Sequence, residues 1–499
     1  MAQEIFVLNP DYCFKKDIDR ILIYSKRRIR FNASEDWRSS LHPYHAQILA
    51  FFTSPEPFER KISALASHFN QPAETISQLL EPYRNNPDIF FTEWNGSIVR
   101  FPRRILIPLE EVGEINDNTY SFTAEDLNVS GEIDLDTRRI KKGPHGILWM
   151  WTNRCGTRCL YCYADTFTKN KELSTRRMLE LFEEAKQLKV EHTDIIGGEI
   201  MLRPDWDQLL TWLVENDMPP GFISTKLPVT PLIADKLKAS GFKGLFQVSL
   251  DSLDDKSLST LVGAKPGYAR RMKEGLEMLK EIPVRVQVNT VLTSLNIDKR
   301  QINDMFTYLN DRGDLEKWEL RVPDISIYTT DTFMRHRAER ERLEELRAYV
   351  SEELTPKSSI PIFFNDDALN YRYRCTSPEE PCFKEGACGY LSERIFVLPD
   401  GKVSTCEQLY WQPQFIIGDL SHQSIEEVWN SEAARKLYEA DTSLYRDSSP
   451  CRKCKAFEEC NKAKRRCVVK VLKAYGQDKW DYPDPRCILA PEFKSELEY

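Results

Sequence analysis

The chain has 499 residues, of which 41% are hydrophobic and 29% charged, and its formal net charge is -8. This length exceeds one average domain, so we expect two to four, and the acidic balance argues against an overall basic surface for nucleic acid. The amino terminus lacks a basic segment followed by a long apolar run, and no later run approaches the ~18 residues of a membrane span. We therefore predict a cytoplasmic protein with no nucleic-acid and no membrane partner.

Residues 1–108 are predicted to form a small winged-helix-like module. We expect a hairpin from segments 21–24 and 29–31, and then helices over 43–52, 58–69 and 73–83. A second hairpin closes the module around Asn95-Gly96, a strong turn signal. Such modules often read DNA, but the third helix carries Glu74 and Glu81 and few basic residues.

Residues 109–145 are acidic and polar, and we predict that they form a linker or bridge. A linker here would raise the effective concentration of a tethered ligand at the next domain.

Three cysteines with the spacing C-x3-C-x2-C follow the apolar run 147–151. The run predicts a buried strand that delivers Cys155, Cys159 and Cys162 into a loop. In a cytosolic chain with thirteen cysteines, clustered thiols are more often metal ligands than disulfides. Three thiolates can hold three irons of a [4Fe-4S] cluster and leave the fourth iron open. A zinc site would need a fourth ligand, and His145 and His192 are the nearest candidates.

This motif resembles that of the radical S-adenosylmethionine (SAM) superfamily. The resemblance implies that SAM chelates the open iron and that its reductive cleavage gives a 5′-deoxyadenosyl radical, which abstracts a substrate hydrogen. It also implies a reducing electron donor such as flavodoxin or ferredoxin. The aromatic residue before the third cysteine touches the adenine in this family, and here it is Tyr161.

Strand-like and helix-like segments alternate through residues 146–330, which predicts right-handed βαβ units and a parallel sheet. Six such strands match the partial (β/α)6 barrel of the superfamily, and parallel barrels carry their sites at the carboxyl ends of the strands.

Polar residues at those strand ends resemble the SAM pocket of the family. Gly197-Gly198-Glu199 follows the second strand and resembles the GGE motif, in which the glycines admit the methionine moiety and the glutamate accepts the ammonium. Further pocket residues are expected at the ends of the third to fifth strands, with ordinary strand-end polarity as the alternative: Ser224, Lys226, Ser249, Asp251, Gln287 and Asn289. Arg321 on the sixth strand faces either core or pocket.

Residues 331–374 are predicted to be a helical connector with solvated charges. Residues 375–499 contain a second group of cysteines, which resembles the SPASM domain and its two auxiliary [4Fe-4S] clusters. The resemblance implies one cluster on Cys382, Cys388, Cys406 and Cys467. It implies the other on Cys451, Cys454, Cys460 and Cys487.

One spacing departs from the SPASM pattern, because six residues rather than three separate Cys460 and Cys467. This leaves the partner of Cys467 less secure, and a pair of zinc sites stays possible. Asp400-Gly401 predicts a hairpin between Cys388 and Cys406. Cys13 and Cys375 fall outside the two sets and are expected to be spare buried thiols, although Cys375 is near enough to donate hydrogen or act as an alternative ligand.

In front of a radical SAM barrel, the first module resembles a RiPP recognition element, which binds the leader of a ribosomal precursor peptide as an added strand. The predicted protein is therefore a radical SAM oxidoreductase that matures a peptide by a thioether or carbon-carbon cross-link, with three [4Fe-4S] clusters. The alternatives are a relative of sulfatase-maturing enzymes that modifies a folded protein, and a cluster-bearing DNA-binding sensor.

Overall fold

A computed structural model describes residues 4–26, 30–84, 86–116, 119–120, 122, 125–129, 131–165, 167–377, 379–380, 383, 388–493 and 495–499. The chain divides into two compact units, Met1–Gly143 and Pro144–Tyr499. Within the described ranges, no helix is both long and apolar enough to cross a bilayer.

The first unit combines short antiparallel strands with three principal helices. Its strands are β1 (Phe6–Leu8), β2 (Tyr12–Asp17), β3 (Arg20–Ser25), β4 (Arg38–Leu41), β5 (Phe90–Trp94), β6 (Ser97–Phe101) and β7 (Leu106–Pro108). Its helices are α1 (Pro43–Ala50), α2 (Phe58–Phe69), α3 (Ala73–Leu80) and the short α4 (Leu109–Val112). The order of three helices and a closing β5-β6 hairpin is that of a winged helix.

The predicted first hairpin is wrong. Strand β3 pairs with β2 on one side and with β4 on the other, so segment 29–31 is not its partner. Residue 29 lies outside the described residues. Strand β2 was not predicted, although Tyr12 and Phe14 are buried in the core of this unit.

Much of the segment expected to be a linker packs on the first unit. Arg20 and Asp17 have fully buried side chains and form an ion pair of 3.1 Å. The Arg20 guanidinium donates to the carbonyl of Arg139 at 2.6 Å, and Asp17 accepts from the backbone N–H of Lys142 at 2.7 Å. Water cannot solvate this buried ion pair. The backbone carbonyls and amides of the segment supply the hydrogen bonds that the two charged groups would otherwise lack.

The second unit is built on parallel strands with covering helices. Its strands are β8 (Gly146–Met150), β9 (His192–Ile196), β10 (Phe222–Thr225), β11 (Leu245–Ser249), β12 (Arg285–Val291), β13 (Lys317–Arg321), β14 (Ile362–Asn365), β15 (Arg394–Val397), β16 (Lys402–Ser404) and β17 (Ile416–Asp419). The helices up to the last parallel strand are α5 (Thr175–Gln187), α6 (Trp206–Glu215), α7 (Pro231–Ala239), α8 (Asp255–Val262), α9 (Tyr268–Met278), α10 (Lys299–Arg312), α11 (Asp331–His336) and α12 (Arg340–Tyr349). The later helices are α13 (Asp367–Asn370), α14 (Ile425–Trp429), α15 (Glu432–Tyr438), α16 (Phe457–Lys462) and α17 (Val468–Tyr475).

The six predicted parallel strands are present as β8 to β13. Strands β8 and β9 pair in parallel, and β10 to β14 form a second parallel sheet. Because side chains alternate along a strand, Trp149 faces helix α5, where it meets Phe182, while Leu148 and Met150 face the other side. The cysteine loop follows β8 in the chain and therefore lies at the carboxyl end of this strand, as expected.

Two strands join segments that the sequence analysis kept apart. Strand β14 lies in the expected connector but extends the parallel sheet beside β13. Strand β15 begins the predicted hairpin and also pairs in parallel with β8. The barrel and the cysteine-rich region therefore share one sheet, and both lie in the second compact unit.

Candidate active site and cysteine-lined cavity

The three cysteines of the motif lie in a loop that is held by backbone hydrogen bonds at several points. The N–H of Arg158 donates to the carbonyl of Val262 at 2.8 Å, at the end of helix α8. The Thr157 hydroxyl lies 3.3 Å from the sulfur of Cys155 and 3.5 Å from that of Cys159. The structure therefore brings two of these free thiols to the same side chain.

Burial disfavours the thiolate form of two of these cysteines. It raises the pKa of Cys162 to about 11 and also raises the pKa of Cys159, where Lys226 opposes the shift. A bound metal centre would supply the positive charge that holds such thiols deprotonated. This donor set fits a cluster with cationic iron.

The alternative of a zinc ion closed by histidine does not agree with the geometry. His145 and His192 lie at the amino ends of β8 and β9, with their rings 5.1 Å apart. The cysteine loop leaves the opposite end of β8, and a strand rises by about 3.3 Å per residue. The two histidines are therefore a full strand length from the cysteines.

The Gly197-Gly198-Glu199 segment runs directly against the start of the cysteine loop. The N–H of Gly198 donates to the carbonyl of Thr152 at 2.8 Å, and that of Glu199 donates to the carbonyl of Arg154 at 2.7 Å. A Cβ atom at Gly198 would lie 2.3 Å from the Arg154 carbonyl oxygen. Only glycine permits this approach.

The Glu199 carboxylate is buried and only half satisfied. Its Oε2 accepts hydrogen bonds from the Thr225 hydroxyl at 3.1 Å and from the N–H of Lys226 at 2.9 Å. Its Oε1 has no hydrogen-bond partner in the part of the chain that the structure describes. Burial raises the pKa of Glu199 to about 7, although both hydrogen bonds oppose the shift. A ligand ammonium could donate a hydrogen bond to Oε1 and so satisfy this carboxylate.

Lys226, Tyr161 and Asp251 meet in one cluster next to the cysteine loop. The Lys226 Nζ lies 2.8 Å from the Tyr161 hydroxyl and 3.0 Å from Asp251 Oδ2, and the Tyr161 hydroxyl also donates to Asp251. Burial lowers the pKa of Lys226, but the charges of Asp251 and Cys159 outweigh it, and the net shift is upward. The ring of Tyr161 is thus fixed by two other predicted pocket residues.

Gln287 and Asn289 bond to each other and to a residue that the sequence analysis missed. The Gln287 amide donates to Gln247 at 2.8 Å and to Asn289 at 3.0 Å, and the Asn289 amide donates to Gln247 at 2.9 Å. Strand register puts Ser224 beside Gln247 and Ser249 beside Asn289. Gln247 is two residues before Ser249, so the alternation on β11 was the available signal. Thr225, which holds Glu199, was also missed.

Seven of the eight cysteines assigned to the auxiliary clusters line one cavity of about 420 Å³. The seven are Cys388, Cys406, Cys451, Cys454, Cys460, Cys467 and Cys487. The eighth, Cys382, lies outside the described residues. Burial raises the pKa of Cys460 to about 11 and that of Cys451 to about 12. Convergent thiols that need a metal to ionise are the donors that iron–sulfur clusters use.

Single-ion geometry is not seen at either site among the residues that the structure describes. No three or more His, Cys, Asp or Glu side chains among the described residues are placed to hold one metal ion.

Cys13 lies buried in β2 of the first unit, away from both cysteine groups in sequence. Cys375 is disulfide-bonded, so it differs from the spare thiol that was expected.

Parallel strands whose carboxyl ends present a three-cysteine loop and a Gly-Gly-Glu segment define an α/β barrel of the radical SAM type. The family model described as the radical SAM superfamily matches residues 149–309, and that of an iron–sulfur cluster-binding domain, SPASM, matches residues 388–455. The chain therefore contains a radical SAM domain and a SPASM domain, and it is a radical SAM enzyme.

Named relatives and a solved structure extend the comparison. PqqA peptide cyclase of Granulibacter bethesdensis is 22% identical over 354 residues, which are 70% of this chain and 88% of the relative. Mycofactocin maturase MftC of Mycolicibacterium smegmatis is 25% identical over 355 residues, 69% of this chain and 83% of the relative. The crystal structure of Streptococcus suis SuiB bound to S-adenosylmethionine has a TM-score of 0.61 at 16% identity and covers 97% of this chain and 99% of SuiB. These results confirm the predicted fold class.

Proposed function

We propose that the protein is a maturase that binds a ribosomal precursor peptide through its leader and cross-links the core of that peptide. The supporting observation is a cavity of about 460 Å³ at the carboxyl ends of the barrel strands. Tyr161 and Tyr163 of the cysteine loop line it, and so does Glu407, next to Cys406. A substrate residue there would lie between the two groups of cysteines.

The names of relatives support a peptide substrate. A peptide cyclase and a maturase are among them, and SuiB has also been crystallised with its precursor peptide SuiA, in a structure that matches this fold with a TM-score of 0.60. The first unit would supply leader binding, because its sheet has β2 and β4 as outer strands and an extended peptide can add to such an edge.

Within the barrel, we assign Cys155, Cys159 and Cys162 to the SAM-binding [4Fe-4S] cluster. Eight cysteines of the SPASM region, Cys382 included, would hold two auxiliary clusters. When bound, these groups supply reductive cleavage of SAM, hydrogen-atom abstraction and electron transfer. Glu199 would accept the SAM ammonium through its free Oε1, and the closely approaching backbone of Gly198 would leave room for the methionine moiety.

The remaining residues of the pocket orient and enclose the reactants. Lys226 and Asp251 fix the phenol of Tyr161, so its ring can form a rigid wall for the adenine. Gln287 keeps a buried Oε1 without a hydrogen-bond partner among the residues described. This oxygen can accept from a ribose hydroxyl. We also expect a reducing donor such as flavodoxin or ferredoxin.

Co-expression with a short peptide encoded beside this gene tests the proposal. A cross-link between two side chains removes two hydrogens, and mass spectrometry should detect this loss in the peptide made with the wild-type protein. The Glu199→Gln variant is the matched control, because it keeps the shape of the side chain and loses its charge. An unmodified peptide, together with modification of a folded protein, would instead support a sulfatase-maturase-like enzyme.

SAM affinity should depend on pH through Glu199. With a pKa of about 7, its ionised fraction rises by about tenfold between pH 6 and pH 8, and SAM should bind more tightly by that factor. The free energy of unfolding of the SAM-free protein should change in the opposite direction. The protonated form of Glu199 favours the folded state, and this contribution is lost as the pH rises through 7. Equilibrium dialysis of SAM should show this rise in the wild type. A pH-independent Glu199→Gln variant is the expected control, and an equal pH dependence in both proteins would contradict the assignment.

A further inference from the structure

One wall of the cavity at the strand ends carries two lysines that share a single carboxylate. Lys470 and Lys473, on helix α17, each place Nζ 2.8 Å from Oδ2 of Asp324, in the loop after β13. Lys470 also donates to the Tyr373 hydroxyl at 3.0 Å. All three charged residues line the cavity.

The two lysines are far less accessible than the acid that pairs with them. The exposed fraction of the side chain is 1% for Lys473 and 15% for Lys470, against 37% for Asp324. Burial and the charge of Lys470 lower the pKa of Lys473, although the charges of Asp324 and of the Cys467 thiol oppose the shift. The two ammonium groups thus share one carboxylate, and a second carboxylate would complete their pairing.

The other charged residues on the cavity wall face other charged groups or are exposed to solvent. Arg321 donates to Glu319 at 2.6 Å, and Glu319 also pairs with Lys317 at 2.9 Å. Glu407 faces the charge of Arg394. Asp367, at the start of the short helix α13, is exposed to solvent.

The group formed by Lys470, Lys473 and Asp324 therefore carries one positive charge in excess at the cavity wall. A carboxylate from a ligand would neutralise this charge and accept charge-assisted hydrogen bonds from both ammonium groups. A ligand cation would gain from Asp324 but meet two lysines at the same point. The local charge favours an anion.

We propose that Lys470 and Lys473 form a subsite for a substrate carboxylate, so that the core peptide carries an acidic group next to the residue that reacts. This inference rests on the proposed peptide substrate. The carboxylate belongs to a glutamate or aspartate side chain or to the peptide carboxyl terminus, since the same two ammonium groups would recognise either. Its role is to position the peptide, with the reacting residue toward Tyr161, which lines the same cavity.

Binding of blocked peptides to the cluster-loaded protein with SAM tests the subsite without any turnover. The probes are acetyl-GGEGG-amide, its glutamine counterpart acetyl-GGQGG-amide, and acetyl-GGGGG with a free carboxyl terminus, each titrated by ligand-observed NMR. We expect the wild type to bind at least one carboxylate peptide about tenfold more tightly than the glutamine peptide, because each tenfold ratio needs only about 1.4 kcal/mol. Whichever carboxylate peptide binds identifies its source.

Substitutions of opposite sign separate this role from a structural one. Lys470→Gln and Lys473→Gln should each reduce the preference for the carboxylate to about twofold or less, whereas Asp324→Asn should increase it by a further factor of about three, because it removes the competing anion. Lys436→Gln, at an exposed lysine on helix α15, should leave the preference unchanged. Thermal unfolding would identify variants that fail to fold. The remaining variants still show whether the preference for the carboxylate peptide falls or rises as predicted.

Several results would overturn the subsite. These are equal affinities of the wild type for all three peptides, a preference for the glutamine peptide, or a loss of carboxylate binding in Asp324→Asn. The outcome is separable from the proposed function. A protein that cross-links its peptide equally well without Lys470 and Lys473 refutes only the subsite, whereas charge-dependent binding without any peptide modification refutes only the maturase.

Discussion

Replacing Cys155, Cys159 or Cys162 by alanine should reduce the cleavage of SAM to 5′-deoxyadenosine by more than about 100-fold, which is the upper loss seen when an outer-shell partner of a metal site is removed. The reason is that three thiols must hold three irons if one iron is to remain open. Burial raises the pKa of Cys162 to about 11, so this thiol is protonated when no metal is bound and ionises when it becomes a ligand. The measurement is 5′-deoxyadenosine produced by anaerobically reconstituted, reduced protein.

Iron content separates this effect from a general loss of folding. Each variant should keep the iron of the auxiliary sites, because their cysteines line a separate cavity. Cys13→Ala is the matched control, since Cys13 is buried in β2 of the first unit. If an alanine variant at any of the three motif cysteines cleaves SAM at the wild-type rate, the assignment of the cluster is wrong.

Gly198→Ala should have the second largest effect on SAM cleavage, a loss of about 100-fold or more. Its new Cβ would lie 2.3 Å from the Arg154 carbonyl oxygen, which is backbone and cannot rotate away. The segment would have to shift relative to the cysteine loop, and Glu199 would move with it. We expect weaker SAM binding as well as slower cleavage, measured by equilibrium dialysis and by 5′-deoxyadenosine production.

Gly197→Ala supplies a graded comparison for this prediction. Its Cβ would lie 3.0 Å from the Thr152 carbonyl oxygen, a tight contact that a shift of a few tenths of an ångström relieves. The loss of activity should therefore be clearly smaller than at Gly198. Equal activity of the two variants, or a more severe loss at Gly197, would show that the close backbone contact is not what the Gly-Gly-Glu segment requires.

The sequence was most informative where one chemical group must occupy one position. The spacing of Cys155, Cys159 and Cys162 located the loop, and the Gly-Gly-Glu segment located the second strand end, because neither pattern has many structural uses. Parallel strands bring such ends together by topology alone. The strand alternation also placed Gln287 and Asn289 on one face before their contacts were known.

Contacts between distant segments could not be predicted in the same way. Nothing local marks Thr225 as the hydroxyl that holds Glu199, or Asp324 as the partner of lysines almost 150 positions later. The acidic segment after residue 109 was expected to be a linker from its polarity. Its attachment depends on Arg20, whose burial was not visible in the sequence.

The most direct test of the account is electron–nuclear double resonance of the reduced, reconstituted protein with SAM labelled with ¹⁷O in its carboxylate. We predict a ¹⁷O coupling to the cluster, and its loss in the Cys155→Ala variant, because SAM would bind the iron that no cysteine holds. A fully iron-loaded protein that binds SAM and yet shows no such coupling would contradict the central claim.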